Sequence, residues 1–144
     1  MNRLFKSLLV AGMLLSVSAC TSSNSTETQV EKVEVPDLSG EWKEVDADED
    51  SWQSATITDD TITVYWVSDN GDTESLYWAG TYVAPSEASN EYSWDSENDH
   101  DKTDSSLLAS GDDTKTFTYK DGILSYKQSA LGSTTTRKLE KVEE

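Results

Sequence analysis

The chain has 144 residues, and its 28 acidic and 11 basic residues give a formal net charge of -17 at pH 7. A surface this acidic repels phosphate backbones, which proteins grip with clustered lysines and arginines, so we expect no nucleic-acid partner. The single cysteine, Cys20, excludes an intramolecular disulfide and a zinc site built from cysteines.

The amino-terminal end of the chain predicts an export signal. Arg3 and Lys6 precede an apolar run at residues 8–15, and positive charge ahead of such a run keeps the amino end on the cytoplasmic side. The run is too short to span about 30 Å of hydrocarbon as a permanent helix. The motif Val17-Ser18-Ala19-Cys20 comes next and resembles the lipobox of bacterial lipoproteins.

This resemblance implies how the protein is held. In bacterial lipoproteins the cysteine receives diacylglyceryl and N-acyl groups, and the signal ahead of it is cleaved. Residues 1–19 would therefore be removed and Cys20 would carry the acyl chains, with no other cofactor expected. Two or three chains, at about 0.8 kcal/mol per buried CH₂, form a stable anchor to the extracytoplasmic face of the cell membrane. The alternative, an ordinary signal with an incidental cysteine, leaves an unpaired thiol unexplained.

The segment after the signal has the composition of a flexible, acidic tether. Residues 20–37 start at the lipidated cysteine, are rich in Ser, Thr and Glu, and contain no aromatic residue. Cleavage removes two basic residues and no acidic one, so nine basic residues then face 28 acidic ones, a net charge of -19. Residues 38–144 hold all five tryptophans and all six tyrosines and predict one domain.

Periodicity predicts strands throughout this domain. Residues 61–67 alternate β-branched and aromatic side chains between two faces, and Asn70-Gly71 then supplies a hairpin turn. We predict eight strands, at residues 42–45, 54–58, 61–67, 76–83, 92–96, 115–119, 123–128 and 134–142. Residues 104–110 fit either a short strand or one helical turn. Sequential hairpins without a crossover helix predict an all-β fold, a small up-and-down antiparallel β-barrel behind the signal and tether.

Two positions resemble the signature of the calycin barrels, the lipocalins and their relatives. Gly40 and Trp42 form a Gly-x-Trp at the first strand, and Arg137, the sole arginine of the mature chain, lies in the last strand. In calycins this tryptophan closes one barrel end and the basic residue packs across it. The resemblance therefore implies a cation–π contact between Trp42 and Arg137. The simpler interpretation is a turn followed by a core tryptophan.

The domain as a whole is also similar to small lipoproteins of Gram-positive bacteria and their prophages. The similarity lies in Ser39-Gly40-Glu41-Trp42, in residues 76–82 and in residues 126–135. It implies a location and a fold but no catalytic activity.

Catalytic and metal-binding patterns are weak. His100 stands among acidic residues in a segment that we interpret as a solvated loop, with no nucleophile tied to it, so we predict a non-enzyme without catalytic residues. Acidic residues alternate at 46–50 and 95–99 like the first ligands of an EF-hand, but the sixth positions are Ser51 and His100 instead of glycine. We predict no ordered metal site.

An eight-stranded barrel encloses enough space for its own side chains or for one ligand. We expect Trp66, Trp78 and Trp94 to fill it. The favoured hypothesis is therefore a monomeric, surface-tethered binding module for a cationic protein or peptide, or for a phage component. The alternative is a lipocalin-like carrier of a small apolar ligand in the lumen.

The binding surface of such a module would combine aromatic and acidic residues at strand ends. Trp52 and Trp94 stand next to acidic segments, and tryptophan is enriched where proteins bind one another. Asp95 and Asp99 follow Trp94 directly. The aromatic residues are core residues first, but if any of them are exposed we expect these to be Trp52 and Trp94, with Asp95 and Asp99 in the same binding surface.

Overall fold

The computed structural model describes residues 32–143, which form eight antiparallel strands in one curled sheet, a half-barrel. The strands are β1 (Gly40–Glu44), β2 (Trp52–Thr58), β3 (Thr61–Ser68), β4 (Thr73–Thr81), β5 (Glu91–Glu97), β6 (Thr114–Lys120), β7 (Ile123–Ala130) and β8 (Ser133–Lys141). The predicted all-β, up-and-down architecture is confirmed. The predicted signal, Cys20 and most of the tether lie outside the described residues.

The sheet consists of two four-stranded meanders joined by the first and last strands. The strand order is β4-β3-β2-β1-β8-β7-β6-β5, so consecutive strands pair within each meander and β1 pairs with β8 between them. The β1–β8 ladder is the shortest of the sheet, with three residue pairs from Trp42–Lys141 to Glu44–Leu139. One further backbone hydrogen bond flanks this short ladder at each end, from Val45 N to Lys138 O at 2.9 Å and from Val142 N to Glu41 O at 2.8 Å.

Tight turns occur where residues tolerate a positive φ. Asp121 and Gly122, between β6 and β7, have φ values of 48° and 87°, as a two-residue hairpin turn requires. Asn70 and Gly71, predicted as a turn, have φ values of 57° and 99° between β3 and β4. Gly40, with φ 119°, opens β1 in a conformation that L-residues rarely adopt, which explains the glycine there.

The core fills the inner face of the curled sheet with aromatic side chains. Trp42, Trp78 and Phe117 are at most 2% exposed, because alternation along their strands directs them inward. Trp94 belongs to the same cluster, and Trp66 packs against it. At about 150 to 250 Å² buried per aromatic side chain, this cluster accounts for a stable domain without disulfides.

The two edge strands of the half-barrel, β4 and β5, contact each other near the carboxyl end of β4. An isolated bridge pairs Gly80 with Asn98, and the Trp78 indole donates to Ser96 Oγ at 3.0 Å beside it. This contact takes the place of a continuous ladder between the two edges within residues 32–143. The sheet is therefore a half-barrel whose two edges contact each other without a continuous ladder, and we call this contact the corner.

The rest of the β4 edge is covered by the connection between β5 and β6. Its donors satisfy three β4 carbonyls: Asp99 N bonds Ala79 O, Ser106 Oγ bonds Leu76 O and Ser110 N bonds Tyr77 O, at 2.8 to 3.0 Å. A covered edge cannot template pairing with another chain. The connection begins with a single helical turn, α1 (His100–Thr103), and residues 104–110, whose structure the sequence left open, form turns.

Gly80→Ala should destabilise the domain by about 1–3 kcal/mol, because the corner has no room for a methyl group. A Cβ at Gly80 would lie 2.4 Å from Ser96 Oγ and 2.5 Å from Glu97 O. Urea denaturation followed by tryptophan fluorescence measures the loss. Gly111→Ala is the matched control, because nothing lies within 4 Å of its Cβ, and it should stay within about 0.5 kcal/mol of the parent. Equal stability of the two variants would contradict a close-packed corner.

Candidate functional site

The connections β1–β2 and β3–β4 meet at one end of the half-barrel, which we call the mouth. Residues 45–51 and 69–72 form these connections, and Asn70 N donates to Asp50 O across them at 3.1 Å. The described chain enters β1 at the opposite end, where Lys141 Nζ donates a hydrogen bond to Asp37 O at 2.9 Å. The mouth and the incoming chain therefore lie at different ends of the strands.

Polar side chains replace apolar ones inside the half-barrel near the mouth. Gln53 and Gln128 are 0% and 5% exposed although both lie in strands with inward-facing apolar neighbours. Arg137 and Glu44 stand beside them, joined by an ion pair of 2.6 Å. Buried groups of this kind are costly unless each is hydrogen-bonded. We call these residues, together with Tyr126, the polar network.

Both carboxylate oxygens and two guanidinium nitrogens of the ion pair in the polar network are hydrogen-bonded. Glu44 Oε1 accepts from Arg137 Nη1, and Glu44 Oε2 accepts from the backbone N–H of Gln53 at 2.8 Å. Arg137 Nε donates to Gln128 Oε1 at 2.6 Å. The carboxylate and guanidinium thus compensate one another and link β1, β2, β7 and β8.

Two amides and a phenol complete the polar network. Gln53 Nε2 donates to Gln128 Oε1 at 3.1 Å, and Tyr126 donates its hydroxyl to Gln53 Oε1. Burial raises the pKa of Tyr126 well above its usual value, so this hydroxyl keeps its proton. The Tyr77 hydroxyl, on the ring stacked beside Tyr126, is buried and has no hydrogen-bond partner among residues 32–143.

Arg137 lies over Trp66, with its guanidinium carbon 5.5 Å from the ring centroid, instead of over Trp42. The contact implied by the calycin resemblance is therefore corrected, and the register gives the reason. Trp42 pairs with Lys141, four residues from Arg137, or about 13 Å along a strand. The Trp42 indole instead donates to Leu38 O at 3.0 Å. Trp42 is a core residue, as the simpler interpretation held.

The residues predicted for a binding surface do not lie together. Trp94 is 6% exposed and stacks on Phe117 at 5.2 Å, so it lies in the interior, as the prediction that it fills the barrel requires, and does not belong to a binding surface. Alternation along β5 directs Trp94 inward and Asp95 outward, where Asp95 accepts a hydrogen bond from Thr116. Asp99 precedes α1, and its bond with the Lys102 ammonium lowers its pKa.

Trp52 does reach the mouth, on the outer face of β2. It is half-buried, and Lys43 Nζ lies 4.0 Å from its ring centroid. A groove of about 410 Å³ opens beside it at the mouth. Its walls include Trp52, Trp66, Leu108, Asp46, Asp48, Glu44 and Arg137. The groove combines aromatic and apolar surface with carboxylates on its rim.

Two other cationic groups are held by local partners. His100 is exposed, and both ring nitrogens contact carboxylates, which raise its pKa, first Asp104 and then Asp113. Lys115 is buried, and its ammonium contacts Asp112 at 3.0 Å. In the described part of the chain, no group of three or more acidic, histidine or cysteine residues is arranged to hold a metal ion.

Comparison with protein-family models, with curated proteins and with solved structures finds no match to this chain. Between residues 32 and 143, no helix is long and apolar enough to cross a bilayer.

Sequence reasoning missed the polar network, although the sequence contains a signal for it. Gln53 is in phase with inward-facing Ala55 and Ile57, and Gln128 is in phase with Leu124. A polar residue at a position whose neighbours two residues away are buried indicates an interior hydrogen bond. The hydrogen-bond partner of each glutamine amide could not be predicted, because Gln53 and Gln128 lie on strands that are far apart in the chain.

Removing one member of the Glu44–Arg137 pair should cost about 1.5–3 kcal/mol, because the remaining charge loses its partner. Glu44→Met, Arg137→Met and the double variant form a cycle whose coupling energy, measured by urea denaturation, should exceed about 1 kcal/mol. The exposed pair Glu91–Lys120, at 3.2 Å, gives a matched cycle with coupling below about 1 kcal/mol. Equal coupling in both cycles would show that the interior pair has no special role.

Proposed function

We propose that the protein is a lipid-anchored, extracytoplasmic binding module without catalytic activity, whose partner is a cationic protein or peptide outside the cell. The observation that carries this proposal is the charge at the mouth. Residues 45–51 and 69–72 contain six carboxylates and no basic residue. None of the six belongs to an ion pair within residues 32–143.

Uncompensated charge of one sign attracts partners of the opposite sign over distance. At about 8 Å of screening length in physiological salt, carboxylates on adjoining loops act together on an approaching molecule. The Arg137 charge does not cancel their field, because Glu44 already compensates it. The uncompensated carboxylates therefore support a basic partner. Their attraction for positive charge would speed the encounter of that partner with the mouth.

The filled interior supports binding at the surface over the alternative of a lumen that carries a small apolar ligand. Trp42, Trp78 and Phe117 occupy the centre of the half-barrel and are almost completely buried. The grooves that open on the described domain are instead at its surface, and the one at the mouth has two tryptophans in its walls.

The proposed lipid anchor lies upstream of the described residues. The chain enters β1 from the end opposite the mouth. An anchor at Cys20, upstream of that point, would leave the mouth free to face away from the membrane. The lipobox-like motif remains the basis of the proposed anchor.

Cys20→Ala should abolish acylation and release the protein from the membrane fraction. The parent protein should sediment with membranes, and its mass should show the added diacylglyceryl and acyl groups on the residue that begins the mature chain. Ser22→Ala, outside the motif, is the control and should behave as the parent. An unmodified thiol in the native protein, or its presence in the cytosol, would refute the anchor.

Binding to a basic protein such as lysozyme should weaken as salt rises. The lipidated protein is placed in vesicles of neutral lipid, and binding is measured by sedimentation at several salt concentrations. We expect at least about tenfold weaker binding between 50 and 500 mM salt, because counterions screen the carboxylates. An acidic protein of similar size is the control. Binding that does not change with salt would contradict the proposed electrostatic recognition.

A further inference from the structure

Two leucines at the tip of the β5–β6 connection are exposed beside the acidic mouth. Leu107 is 97% exposed and Leu108 is 53% exposed, and they are adjacent in the chain, whereas the other exposed large apolar residues of the domain, Val83, Leu131 and Val142, are far apart in sequence. The connection runs along the β4 edge, bonded at Leu76 O, and this brings its tip to the mouth. Leu108 also lies in the wall of the groove at the mouth.

The groove continues this apolar surface inward. Trp52, Trp66, Val67 and Leu108 line it, and Asp46 and Asp48 stand on its rim. Apolar and acidic surfaces are therefore adjacent. A partner that fills the groove must bring apolar side chains and positive charge within one short segment.

The chain's own cations show what these tryptophans accept. The guanidinium of Arg137 lies over Trp66, and the ammonium of Lys43 lies 4.0 Å from the centroid of Trp52. Lys43 is exposed, with a flexible stem, so a lysine or arginine of a partner can take its place over Trp52. Such an exchange conserves the cation–π contact while adding the partner's apolar contacts.

Electrostatic repulsion disfavours two other occupants of the groove, a second copy of this chain and an anionic lipid surface. A second mature copy of this chain would bring a further net charge of -19 to the same acidic loops. An anionic lipid surface is repelled for the same reason. The exposed leucines and the acidic rim together fit one class of partner.

We infer that the mouth binds an amphipathic basic peptide segment. Its apolar side chains contact Leu107 and Leu108, and its lysines or arginines contact Asp46, Asp48 and the Trp52 ring. This inference rests on the proposed function and adds to it the site and the chemistry of the partner.

Two labelled octapeptides test the inference against the full lipidated protein in neutral vesicles. One alternates lysine and leucine, and the other alternates lysine and serine, so both carry the same charge. Fluorescence anisotropy should show about tenfold tighter binding of the lysine–leucine peptide, because it adds apolar contacts. A glutamate–leucine peptide should not bind.

The variant Leu107→Ser/Leu108→Ser should remove this tenfold advantage and leave the affinity for the lysine–serine peptide unchanged. Val83→Ser is the matched control, since Val83 is 58% exposed outside the mouth, and it should change neither affinity. Asp46→Asn/Asp48→Asn should weaken both lysine peptides and reduce their salt dependence. Urea denaturation checks that each variant folds, which is expected because all these side chains are exposed or on the rim.

The outcomes separate this inference from the proposed function. If both lysine peptides bind equally, or the leucine variant keeps the preference, the inference is overturned while salt-sensitive binding still supports the proposed function. If neither lysine peptide binds at low salt, both are overturned.

Discussion

The pairing of the first strand with the last is the constraint on which the whole domain depends. Each meander is held by hairpins that are local in sequence, but the two meanders join through three residue pairs of β1 and β8. The Glu44–Arg137 ion pair starts from the last residue pair of that ladder, Glu44–Leu139, and extends it with side chains. Hydrogen bonds of Gln53 on β2 and Gln128 on β7 extend this contact to the strands next to β1 and β8. A short backbone seam is thus reinforced by a polar network.

In this arrangement, the residues that stabilise the domain are different from the residues that the mouth presents to solvent. The aromatic core and the network satisfy their own contacts, and the only arginine of the domain is used internally. The field at the mouth therefore comes from residues 45–51 and 69–72, whose carboxylates are not needed by the core. Loops held between rigid strands can carry charge and exposed apolar groups that a packed element could not.

The strands could be predicted from the sequence because alternation and turn residues act locally. Residues 61–67 and Asn70-Gly71 specify a hairpin without reference to the rest of the chain. The partner of Arg137 could not be predicted, since the register of β8 against β1 decides whether it meets Trp42 or Trp66. The sequence supports two positions for Trp94, because its acidic neighbours suggest exposure while its phase in β5 directs it inward, and the structure follows the phase.

The same charges have opposite effects on stability and on recognition. Six carboxylates on two adjoining loops repel one another, and this repulsion disfavours the compact state until salt screens it. Screening also removes the attraction between the mouth and a basic partner. A basic segment bound at Asp46 and Asp48 would relieve the repulsion directly, without bulk salt. Occupation of the mouth by the proposed partner would therefore be coupled to folding stability, because a ligand that binds only the folded state stabilises it.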